Sequence, residues 1–266
     1  MIYSIGIDSG STATKGILYD GNNKEIVDKI ITPTGWSPKK ACEFIRDEFM
    51  KKYNLKREEL YIVSTGYGRV SIDFVDDSLT EITCHGKGAF FLSEDTRTIL
   101  DIGGQDSKVI KIDNSGNIVD FLMNDKCAAG TGRFLEVMMN LLGSDLEDLD
   151  IITKGAVPAK INSMCTVFAE SEVISILAQG ETKESVAAGI LNSIASKIST
   201  LAGRMNVESD IMFTGGLAQS EELTKLISEK LEKTVNTDPL SQYNGAIGAA
   251  IVGWQKAKRR NRKNSP

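Results

Sequence analysis

Histidine is almost absent from this chain of 266 residues, which contains His85 alone. A single histidine argues against a Ser/His/Asp triad and against histidine-rich metal sites. Cysteine is scarce as well, and no two cysteines have CxxC spacing, which disfavours a zinc ribbon within one chain. We expect no structural disulfides, so any special cysteine is expected to be a metal ligand or a redox thiol. The four cysteines are Cys42, Cys84, Cys127 and Cys165.

Long hydrophobic runs are missing too. The longest run without a polar or charged side chain, around residues 246–254, is far shorter than the roughly 20 residues that a bilayer-spanning helix needs. The first residues reach Asp8 without a basic or long apolar region, so we expect no signal peptide and a cytoplasmic protein. Hydrophobic residues make up 41% of the chain and charged residues 25%, which excludes a disordered body.

The net charge is small but unevenly placed. The chain has 31 Lys and Arg against 36 Asp and Glu, a net charge of −5, yet its last twelve residues hold six basic residues and no acid. The acidic body argues against nucleic acid as the main ligand. We expect residues 261–266 to form a solvated basic tail, with contact to nucleic acid or to an acidic partner as the alternative.

An internal repeat is the most informative feature of the sequence. Residues 7–20 (IDSGSTATKGILYD) match residues 100–113 (LDIGGQDSKVIKID), so that Asp8 corresponds to Asp101 and Lys15 to Lys108. Each segment is predicted to form a strand, a small-residue turn and a second strand. Residues 62–66 (IVSTG) match residues 211–215 (IMFTG) in the same way. The two matches predict a duplicated α/β architecture with two lobes.

Apolar spacing predicts six helices around these strands. They cover residues 38–52, 132–142, 168–178, 184–205, 221–231 and 246–258. The first helix has one apolar stripe, formed by Ala41, Phe44, Ile45 and Phe49. We predict a first lobe of residues 1–95 plus 245–260, a second lobe of residues 96–244, and the tail.

The repeated turns have the composition of phosphate-binding loops. Glycine lets the backbone turn tightly so that its N–H groups face an anion, and an aspartate at a strand end can hold hydrated Mg²⁺. Neither turn is a Walker A loop, and residues 130–132 (GTG) do not continue into the third glycine of a dinucleotide fingerprint. Ordinary β-turns are the alternative, but the repetition and a third glycine turn at residues 214–216 favour a nucleotide cleft between the lobes.

Three motifs resemble those of the actin/Hsp70/sugar-kinase ATPase superfamily. Residues 8–12 (DSGST), 101–106 (DIGGQD) and 214–216 (TGG) are similar to its phosphate-1, phosphate-2 and adenosine motifs. Residues 124–134 (NDKCAAGTGRF) and 164–172 (MCTVFAESE) resemble the cysteine motifs of ATP-dependent activators of 2-hydroxyacyl-CoA dehydratases and benzoyl-CoA reductases, also called archerases. The resemblance covers essentially the whole chain and implies an α/β fold with two ribonuclease-H-like lobes that close around Mg-ATP.

The resemblance also suggests which residues bind the nucleotide. We expect Asp8 and Asp101 to position Mg²⁺ or the attacking water, with one of the two as the base. The residues expected at the phosphates are Ser11, Thr12, Ala13, Thr14, Lys15, Gly103, Gly104 and Gln105. The residues expected near the nucleoside of ATP or ADP are Gly215, Gly216, Gln219 and Gln242.

The cysteine motifs predict an iron–sulfur cluster. A [4Fe–4S] cluster takes four thiolates, and Cys127 and Cys165 supply two per chain, so a homodimer would share one cluster on its two-fold axis. From spacing alone, two buried free thiols are an equal alternative; the family motifs favour the cluster. Each cysteine precedes a predicted helix, whose free N–H groups would favour an anionic cluster. Cys42 and Cys84 match neither motif and are expected to pack structurally.

The activity that the resemblance implies is ATP-driven electron transfer. ATP hydrolysis would send one low-potential electron to a partner iron–sulfur enzyme, of the 2-hydroxyacyl-CoA dehydratase, benzoyl-CoA reductase or double-cubane-cluster reductase type. A ferredoxin or flavodoxin would recharge the cluster. Two alternatives remain open: a small-molecule kinase of the same superfamily with incidental cysteines, and a non-catalytic iron–sulfur redox regulator that binds ATP.

Overall fold

The computed structural model of the protein describes residues 3–162, 166–207 and 210–263, with side chains through residue 260. The chain forms two compact units, each built around a five-stranded sheet. The first unit comprises residues 1–96, 112–119 and 242–266, and the second comprises residues 97–111 and 120–241. No helix in the described part of the chain is both long enough and apolar enough to cross a membrane.

The first unit has a mixed sheet with the strand order β3-β2-β1-β4-β5. The strands are β1 (Tyr3–Ser9), β2 (Ala13–Asp20), β3 (Glu25–Pro33), β4 (Leu60–Thr65) and β5 (Asp77–Ser78). β1, β2 and β3 are antiparallel neighbours, whereas β4 runs parallel to β1 and β5 parallel to β4. Three helices belong to this unit: α1 (Pro38–Tyr53), α2 (Glu81–Leu92) and α8 (Asn244–Lys263).

Helix α1 begins at the predicted residue, Pro38, and ends one residue after the predicted Lys52. The Ser37 side chain accepts a hydrogen bond from the Lys40 N–H, and Asn54 ends the helix in the left-handed conformation at φ 50°. Three of the four predicted stripe residues are buried, but Phe44 is 49% exposed. Cys42 is fully buried in the core beside Ile45 and Phe49, so the apolar face is rotated from the predicted stripe.

Helix α2 was not predicted, because its sequence contains Gly86 and Gly88, which lower helix propensity. These glycines allow close packing instead. A Cβ at Gly88 would collide with the backbone of Asn244, and a Cβ at Gly248 would collide with the backbone of Cys84. Helices α2 and α8 therefore approach each other at backbone distance, and tertiary packing overrides the local preference.

The second unit has a sheet with the order β10-β9-β6-β7-β8. The strands are β6 (Thr98–Ile102), β7 (Ser107–Ile112), β8 (Ile118–Asn124), β9 (Ile211–Gly215) and β10 (Val235–Asn236). The helices are α3 (Gly132–Leu141), α4 (Leu149–Thr153), α5 (Thr166–Ala178), α6 (Lys183–Gly203) and α7 (Glu221–Leu231). Helix α6 supplies much of the core, with Ile190, Leu191 and Ile194 fully buried.

The two sheets have the same topology, strand for strand. In the first unit β1 lies between β2 and β4, and in the second β6 lies between β7 and β9. Asp8 on β1 lies opposite Lys15 on β2 and Thr65 on β4. In the same way, Asp101 on β6 lies opposite Lys108 on β7 and Thr214 on β9. The duplication predicted from the two sequence matches is therefore present in the register of the strands.

The boundary between the units lies at different residues from those of the predicted lobes. Residues 112–119 and 242–244, expected in the second lobe, belong to the first unit. The Lys87 ammonium donates to the Ser115 carbonyl and to the Asn117 side chain, both at 2.7 Å. The Asn244 amide donates to the His85 carbonyl at 3.1 Å. Both segments are thus hydrogen-bonded to helix α2.

Candidate functional site

The turn between β1 and β2, residues 10–12, is the first candidate phosphate loop. Thr34, at the end of β3, holds it from one side: its hydroxyl donates to the Gly10 carbonyl at 2.7 Å and its N–H to the Thr12 carbonyl at 3.0 Å. The neighbouring side chains reach solvent to different degrees; Thr12 is exposed, and Ser11, Ala13 and Lys15 are half-buried.

Thr14 differs from its neighbours. Its side chain is fully buried, and its hydroxyl lies 2.9 Å from the Thr34 hydroxyl. The predicted contact of Thr14 with phosphate stays a prediction, and its side chain supports the turn from inside the unit. The reason is the alternation of β2, which turns Thr14 inward and leaves Ala13 and Lys15 partly accessible.

Asp8, the residue before the last of β1, is a carboxylate without a partner among the residues that the structure describes. It is 8% exposed, and among the residues that the structure describes it has no hydrogen-bond donor and no ion-pair partner. Two glycines leave space for its oxygens: a Cβ at Gly66 would collide with Oδ1, and a Cβ at Gly245 would lie 2.6 Å from Oδ2. An unpartnered, nearly buried carboxylate fits a hydrated Mg²⁺ ion, which prefers oxygen ligands.

His85 lies on the other side of Gly245. A Cβ at Gly245 would be 3.4 Å from His85 Nε2 as well as close to Asp8. The Asn244 amide lies 3.1 Å from His85 Nδ1 and also donates to the His85 carbonyl, so the imidazole ring is fixed between helices α2 and α8. The single histidine of the chain is thus part of the surroundings of Asp8.

The turn between β6 and β7, residues 103–106, is the second candidate phosphate loop. The Gly103 N–H donates to the Asp106 carbonyl at 2.9 Å, which closes the turn. Gly103 and Gly104 are half-buried and Gln105 is exposed. A Cβ at Gly103 would collide with the Asp106 carboxylate, so a larger residue at this position would displace the Asp106 side chain.

Asp101, before this turn, is held by two side chains. Its Oδ1 accepts a hydrogen bond from the Thr214 hydroxyl at 2.8 Å, and its Oδ2 lies 3.3 Å from the Lys108 ammonium. The same ammonium lies 2.8 Å from the Asp106 carboxylate. Asp101 and Lys108 are each 2% exposed, so the ion pair is shielded from solvent.

The third candidate loop follows β9. Gly215 has φ +95° and a Cβ there would collide with the Ile102 carbonyl, so only glycine fits. The next residue, Gly216, is exposed, and a Cβ there would meet no atom within 4 Å. Gln219 is exposed as well, whereas Gln242, in a short 3₁₀ turn before α8, is half-buried. The open backbone at Gly216 is accessible to a ligand.

Cys127 lies in the loop between β8 and α3. Its thiol is free and half-buried. The Asn124 amide donates to the Cys127 carbonyl at 3.1 Å, and the Thr131 hydroxyl donates to the Ala128 carbonyl at 2.5 Å. The loop is therefore held at both ends. Cys165, the second predicted cluster ligand, lies outside the described residues.

The first N–H groups of helix α3 are bonded to the second phosphate loop. The Gly132 N–H donates to the Gly103 carbonyl and the Arg133 N–H to the Gly104 carbonyl, each at 2.9 Å. The expectation that this helix offers free N–H groups to a cluster is wrong for these two groups, because the loop carbonyls already accept them. The same bonds connect the loop at residues 103–106 directly to the helix that follows Cys127.

The remaining two described cysteines are core residues. Cys42 and Cys84 are fully buried. Burial raises the pKa of the Cys42 thiol to about 11 and that of the Cys84 thiol to about 12, and the negative charge of Asp8 acts in the same direction on both. Both remain protonated thiols at neutral pH and are poor metal ligands.

Four residues of these sites were not singled out from the sequence. Lys108 and Thr214 belong to the two repeated segments, so the repeat contained the signal: each lies opposite an aspartate that was singled out. Thr34 and His85 follow no repeated pattern. Their positions depend on contacts between distant segments, which neither composition nor spacing encodes.

Comparisons with known proteins found one family model and several similar proteins. A model of the BadF/BadG/BcrA/BcrD ATPase family matches residues 5–253. YjiL of Escherichia coli strain K12 is 48% identical over 265 residues, 98% of this chain and 100% of YjiL. The (R)-2-hydroxyglutaryl-CoA dehydratase activating ATPase of Acidaminococcus fermentans is 45% identical over 260 residues, 96% of this chain and 98% of that protein.

Solved structures extend the comparison to three dimensions. The activator of 2-hydroxyisocaproyl-CoA dehydratase from Clostridium difficile, with bound ADPNP, superposes with a TM-score of 0.93 at 38% identity. The match covers 100% of this chain and 99% of that one. It confirms the predicted fold class, an α/β protein of the actin-like ATPase type.

Proposed function

The chain belongs to the BadF/BadG/BcrA/BcrD ATPase family, and from this premise we propose that it hydrolyses ATP to deliver one low-potential electron to a partner iron–sulfur enzyme. The resemblance stated from the cysteine motifs is thereby confirmed. The relative from Acidaminococcus fermentans is named as an activating ATPase of a dehydratase, and one component of the benzoyl-CoA reductase of Thauera aromatica is 30% identical over 267 residues. The partner is accordingly a dehydratase or reductase of these types.

The nucleotide contacts come from the three glycine turns. The proposed phosphate contacts are Ser11, Thr12, Ala13 and Lys15 in the first unit and Gly103, Gly104 and Gln105 in the second. The nucleoside contacts are Gly215, Gly216, Gln219 and Gln242. Two observations support these contacts. All of these residues except Gly215 are at least partly exposed. Backbone N–H groups in glycine turns also favour the binding of anions. Mg²⁺ is proposed at Asp8, whose carboxylate has no described protein partner.

The electron carrier is proposed to be one [4Fe–4S] cluster per homodimer, held by Cys127 and Cys165 of each chain. The donor set fits as far as it is described: Cys127 is a partly accessible free thiol in a loop of small residues, whereas Cys42 and Cys84 are buried. A bound cluster would supply one-electron redox chemistry. The chain's own part is to hold the thiolates and to alter their surroundings when nucleotide binds.

The observation that carries the coupling of ATP to the electron is the pair of backbone hydrogen bonds between the second phosphate loop and helix α3. Gly103 and Gly104 accept from the first two N–H groups of the helix. Only the short segment 128–131 separates that helix from Cys127. A shift of the loop on ATP binding or hydrolysis is therefore transmitted to Cys127 through backbone contacts, without a need for flexible side chains.

The homodimer is supported by apolar side chains on the helix that follows Cys165. On α5, Val167 is 69% exposed, Phe168 68% and Ile174 52%. The strand before Cys127 exposes Phe121 and Met123 in alternation. Apolar patches of this kind mark protein contacts. A second copy of the chain is the proposed occupant because each chain supplies only two of the four thiolates.

The deciding experiment is a measurement of iron and acid-labile sulfide per chain, together with the mass of the particle, on protein prepared without oxygen. One shared cluster predicts about two irons per chain in a dimer. Iron-free protein that binds nucleotide and resists reconstitution would reject the cluster and leave an ATPase without an electron carrier.

Serine variants assign the ligands. Cys127→Ser or Cys165→Ser should abolish the cluster, whereas Cys42→Ser and Cys84→Ser, at buried core positions, serve as matched controls and should keep it. A cluster of normal iron content in Cys127→Ser would contradict the ligand set. Two measurements on the cluster-containing protein test the rest of the proposal. Reduction of the cluster by a ferredoxin or flavodoxin tests the electron donor. ATP hydrolysis that depends on the partner enzyme tests the coupling to electron transfer.

A further inference from the structure

The imidazole of His85 borders the same small space as the Asp8 carboxylate. A Cβ at Gly245 would lie 2.6 Å from Asp8 Oδ2 and 3.4 Å from His85 Nε2, so this oxygen and this nitrogen lie on two sides of one glycine. Both side chains are more than nine-tenths buried, with Asp8 8% exposed and His85 7%. The first candidate phosphate loop, residues 10–12, begins two residues after Asp8. His85 Nε2 therefore lies close to the start of that loop.

The hydrogen bonds from Asn244 determine which nitrogen of the ring carries the proton. One side-chain atom of Asn244 lies 3.1 Å from the His85 carbonyl oxygen, and because a carbonyl can only accept, that atom is the amide nitrogen. The second hydrogen of the same nitrogen is available to His85 Nδ1, which is also 3.1 Å away. Since Nδ1 accepts this hydrogen, the neutral imidazole carries its own proton on Nε2. His85 thus has a donor on the side of the ring that faces Gly245 and Asp8.

Asn244 fixes this tautomer although its own position is unfavourable. The residue is 1% exposed, and its Oδ1 has no hydrogen-bond donor among the residues that the structure describes. A buried amide oxygen without a donor destabilises the folded chain, and an apolar residue would fill the space between α2 and α8 without that penalty. Such groups are typical of functional sites. The observation indicates that Asn244 serves the orientation of the His85 ring and not only the packing of the two helices.

We propose that His85 is a further catalytic residue of ATP hydrolysis, and that its Nε2–H donates a hydrogen bond to the attacking water. This inference rests on the proposed ATPase function and adds a residue to it. The neighbouring carboxylate favours water over a phosphate oxygen as the acceptor. A phosphate oxygen is repelled by the Asp8 carboxylate, whereas a water molecule can donate to Asp8 and accept from His85 at the same time. Its second lone pair then remains available for the phosphorus atom.

The role of His85 in the reaction is to hold this water, without transfer of a proton. The water oxygen forms a bond to the γ-phosphorus, the bond between that phosphorus and the β,γ-bridging oxygen breaks, and ADP leaves with the electron pair. One proton of the water stays on the inorganic phosphate and the other is released to the solvent. His85 keeps its Nε2 proton throughout, and its contribution is the orientation of the nucleophile.

Two substitutions of His85 separate this role from a structural one. Glutamine places an amide N–H near the position of Nε2, whereas asparagine places its amide near the position of Nδ1. We expect His85→Asn to lower kcat for ATP hydrolysis roughly a hundredfold, the usual loss when one donor to the reacting group is removed, and His85→Gln to keep kcat within about tenfold. The ADP affinity should stay within about threefold in both variants, because the contact is to the water and not to the nucleotide. A ring that only joins α2 to α8 predicts the reverse order, since asparagine retains the contact with Asn244.

Lys87→Met is the matched control on the same helix. The Lys87 ammonium donates to the Ser115 carbonyl and to the Asn117 side chain, both at 2.7 Å, so the substitution removes two bonds of α2 that do not involve His85. It should lower the temperature of unfolding and leave kcat unchanged. Equal losses of kcat in His85→Asn and His85→Gln, or a loss of the same size in Lys87→Met, overturn the assignment.

Nitrogen-15 NMR tests the donor without a substitution in the chain. His85 is the only histidine, so protein labelled with ¹⁵N-histidine and prepared without a histidine tag gives one pair of ring signals. We expect a protonated Nε2, an unprotonated Nδ1, and a shift of the Nε2 signal when Mg-ADP and aluminium fluoride imitate the γ-phosphate under attack by water. Asn244→Ala should allow the proton to move to Nδ1 in part of the molecules.

The outcomes distinguish a failure of this inference from a failure of the proposed function. A protonated Nδ1 in the unsubstituted protein, or an Nε2 signal that does not move although the nucleotide complex forms, overturns the role of His85 alone. Unchanged ATP turnover in His85→Asn does the same. If the unsubstituted protein neither binds nor hydrolyses ATP, the proposed function fails and the role of His85 fails with it.

Discussion

At the scale of single residues, burial sets the acidity of the two cysteines that match no cluster motif. The ordinary thiol pKa of 9.0 is raised to about 11 at Cys42 and about 12 at Cys84. The unfolded chain ionises these thiols from about pH 9, while the folded protein keeps their protons. Their contribution to stability is therefore complete below pH 9 and is lost as the pH rises toward the folded pKa values.

This gives a prediction in alkaline solution. The free energy of unfolding should fall by about 1.4 kcal/mol per pH unit for each buried cysteine between the two pKa values. Cys84→Ala should be less stable at pH 7, because it leaves a small cavity, but its stability should fall less steeply from pH 9 to pH 11. Urea unfolding at several pH values measures both slopes. If the free energy of unfolding falls equally steeply with pH in the unsubstituted protein and in Cys84→Ala, the pKa of Cys84 is not raised by burial.

The positions of the glycine turns were predicted well, because they depend on the backbone, whereas the direction of a side chain beside a turn was predicted less well. Gly103 was expected in a tight turn, and the structure shows such a turn, closed by the bond from the Gly103 N–H to the Asp106 carbonyl. Thr14 was expected at the phosphates, yet its hydroxyl lies inside the unit against Thr34. Sequence motifs identify a turn, but the pleat of the adjoining strand decides which side chains face outward.

At the scale of secondary-structure elements, the contact between the second phosphate loop and α3 makes Gly132 a sensitive position. A Cβ at Gly132 would lie 3.3 Å from the Gly103 carbonyl oxygen and 3.6 Å from the Gly104 Cα. The loop would have to move by a few tenths of an ångström to accommodate it. Because the helix and the loop are joined by two hydrogen bonds, the shift affects both the phosphate site and the route to Cys127.

Gly132→Ala should weaken ADP binding and slow ATP hydrolysis roughly three- to tenfold, which corresponds to about 1 kcal/mol of strain. The iron content should stay unchanged. Gly203→Ala is the matched control, since a Cβ at the exposed end of α6 would meet no atom within 4 Å. Nucleotide titration and a coupled ATPase assay measure both. Identical behaviour of the two variants would show that the helix and the loop move independently.

Most elements could be predicted from the sequence. Helix α7 runs from residue 221 to residue 231, as its periodicity predicts, and it begins at a serine cap. Helices α2 and α4 were missed for different reasons: α2 contains glycines that close packing requires, and α4, Leu149–Thr153, is too short to show a period. Register was predictable because the repeat aligns both hairpins residue by residue.

At the scale of the whole molecule, the exposed apolar face of α5 predicts how assembly and cluster content are linked. Phe168→Asp places a charge where the proposed second copy packs, and should raise the dimer dissociation constant by roughly a hundredfold or more, because desolvating a charge costs several kcal/mol. Iron per chain should fall below about one, because the cluster needs thiolates from both chains.

Ile151→Asp is the control for this substitution. Ile151, on α4, is 78% exposed and lies outside the segments that flank the two candidate ligands. It should leave both mass and iron content unchanged. Analytical ultracentrifugation and iron analysis on the same samples would show the link; a Phe168→Asp protein that is monomeric but fully loaded with iron would exclude a shared cluster.

The duplication also has a consequence for how the two aspartates could become different. If the two sheets belonged to two identical chains, both copies would have the same residue at every position. An aspartate at the position of Asp106 would then be present in both copies. Joining the copies in one chain removes that constraint. The two copies can then differ in charge, as alanine at position 13 differs from aspartate at position 106. Both oxygens of Asp101 are held within its unit, whereas the Asp8 carboxylate has no hydrogen-bond donor or ion-pair partner among the described residues.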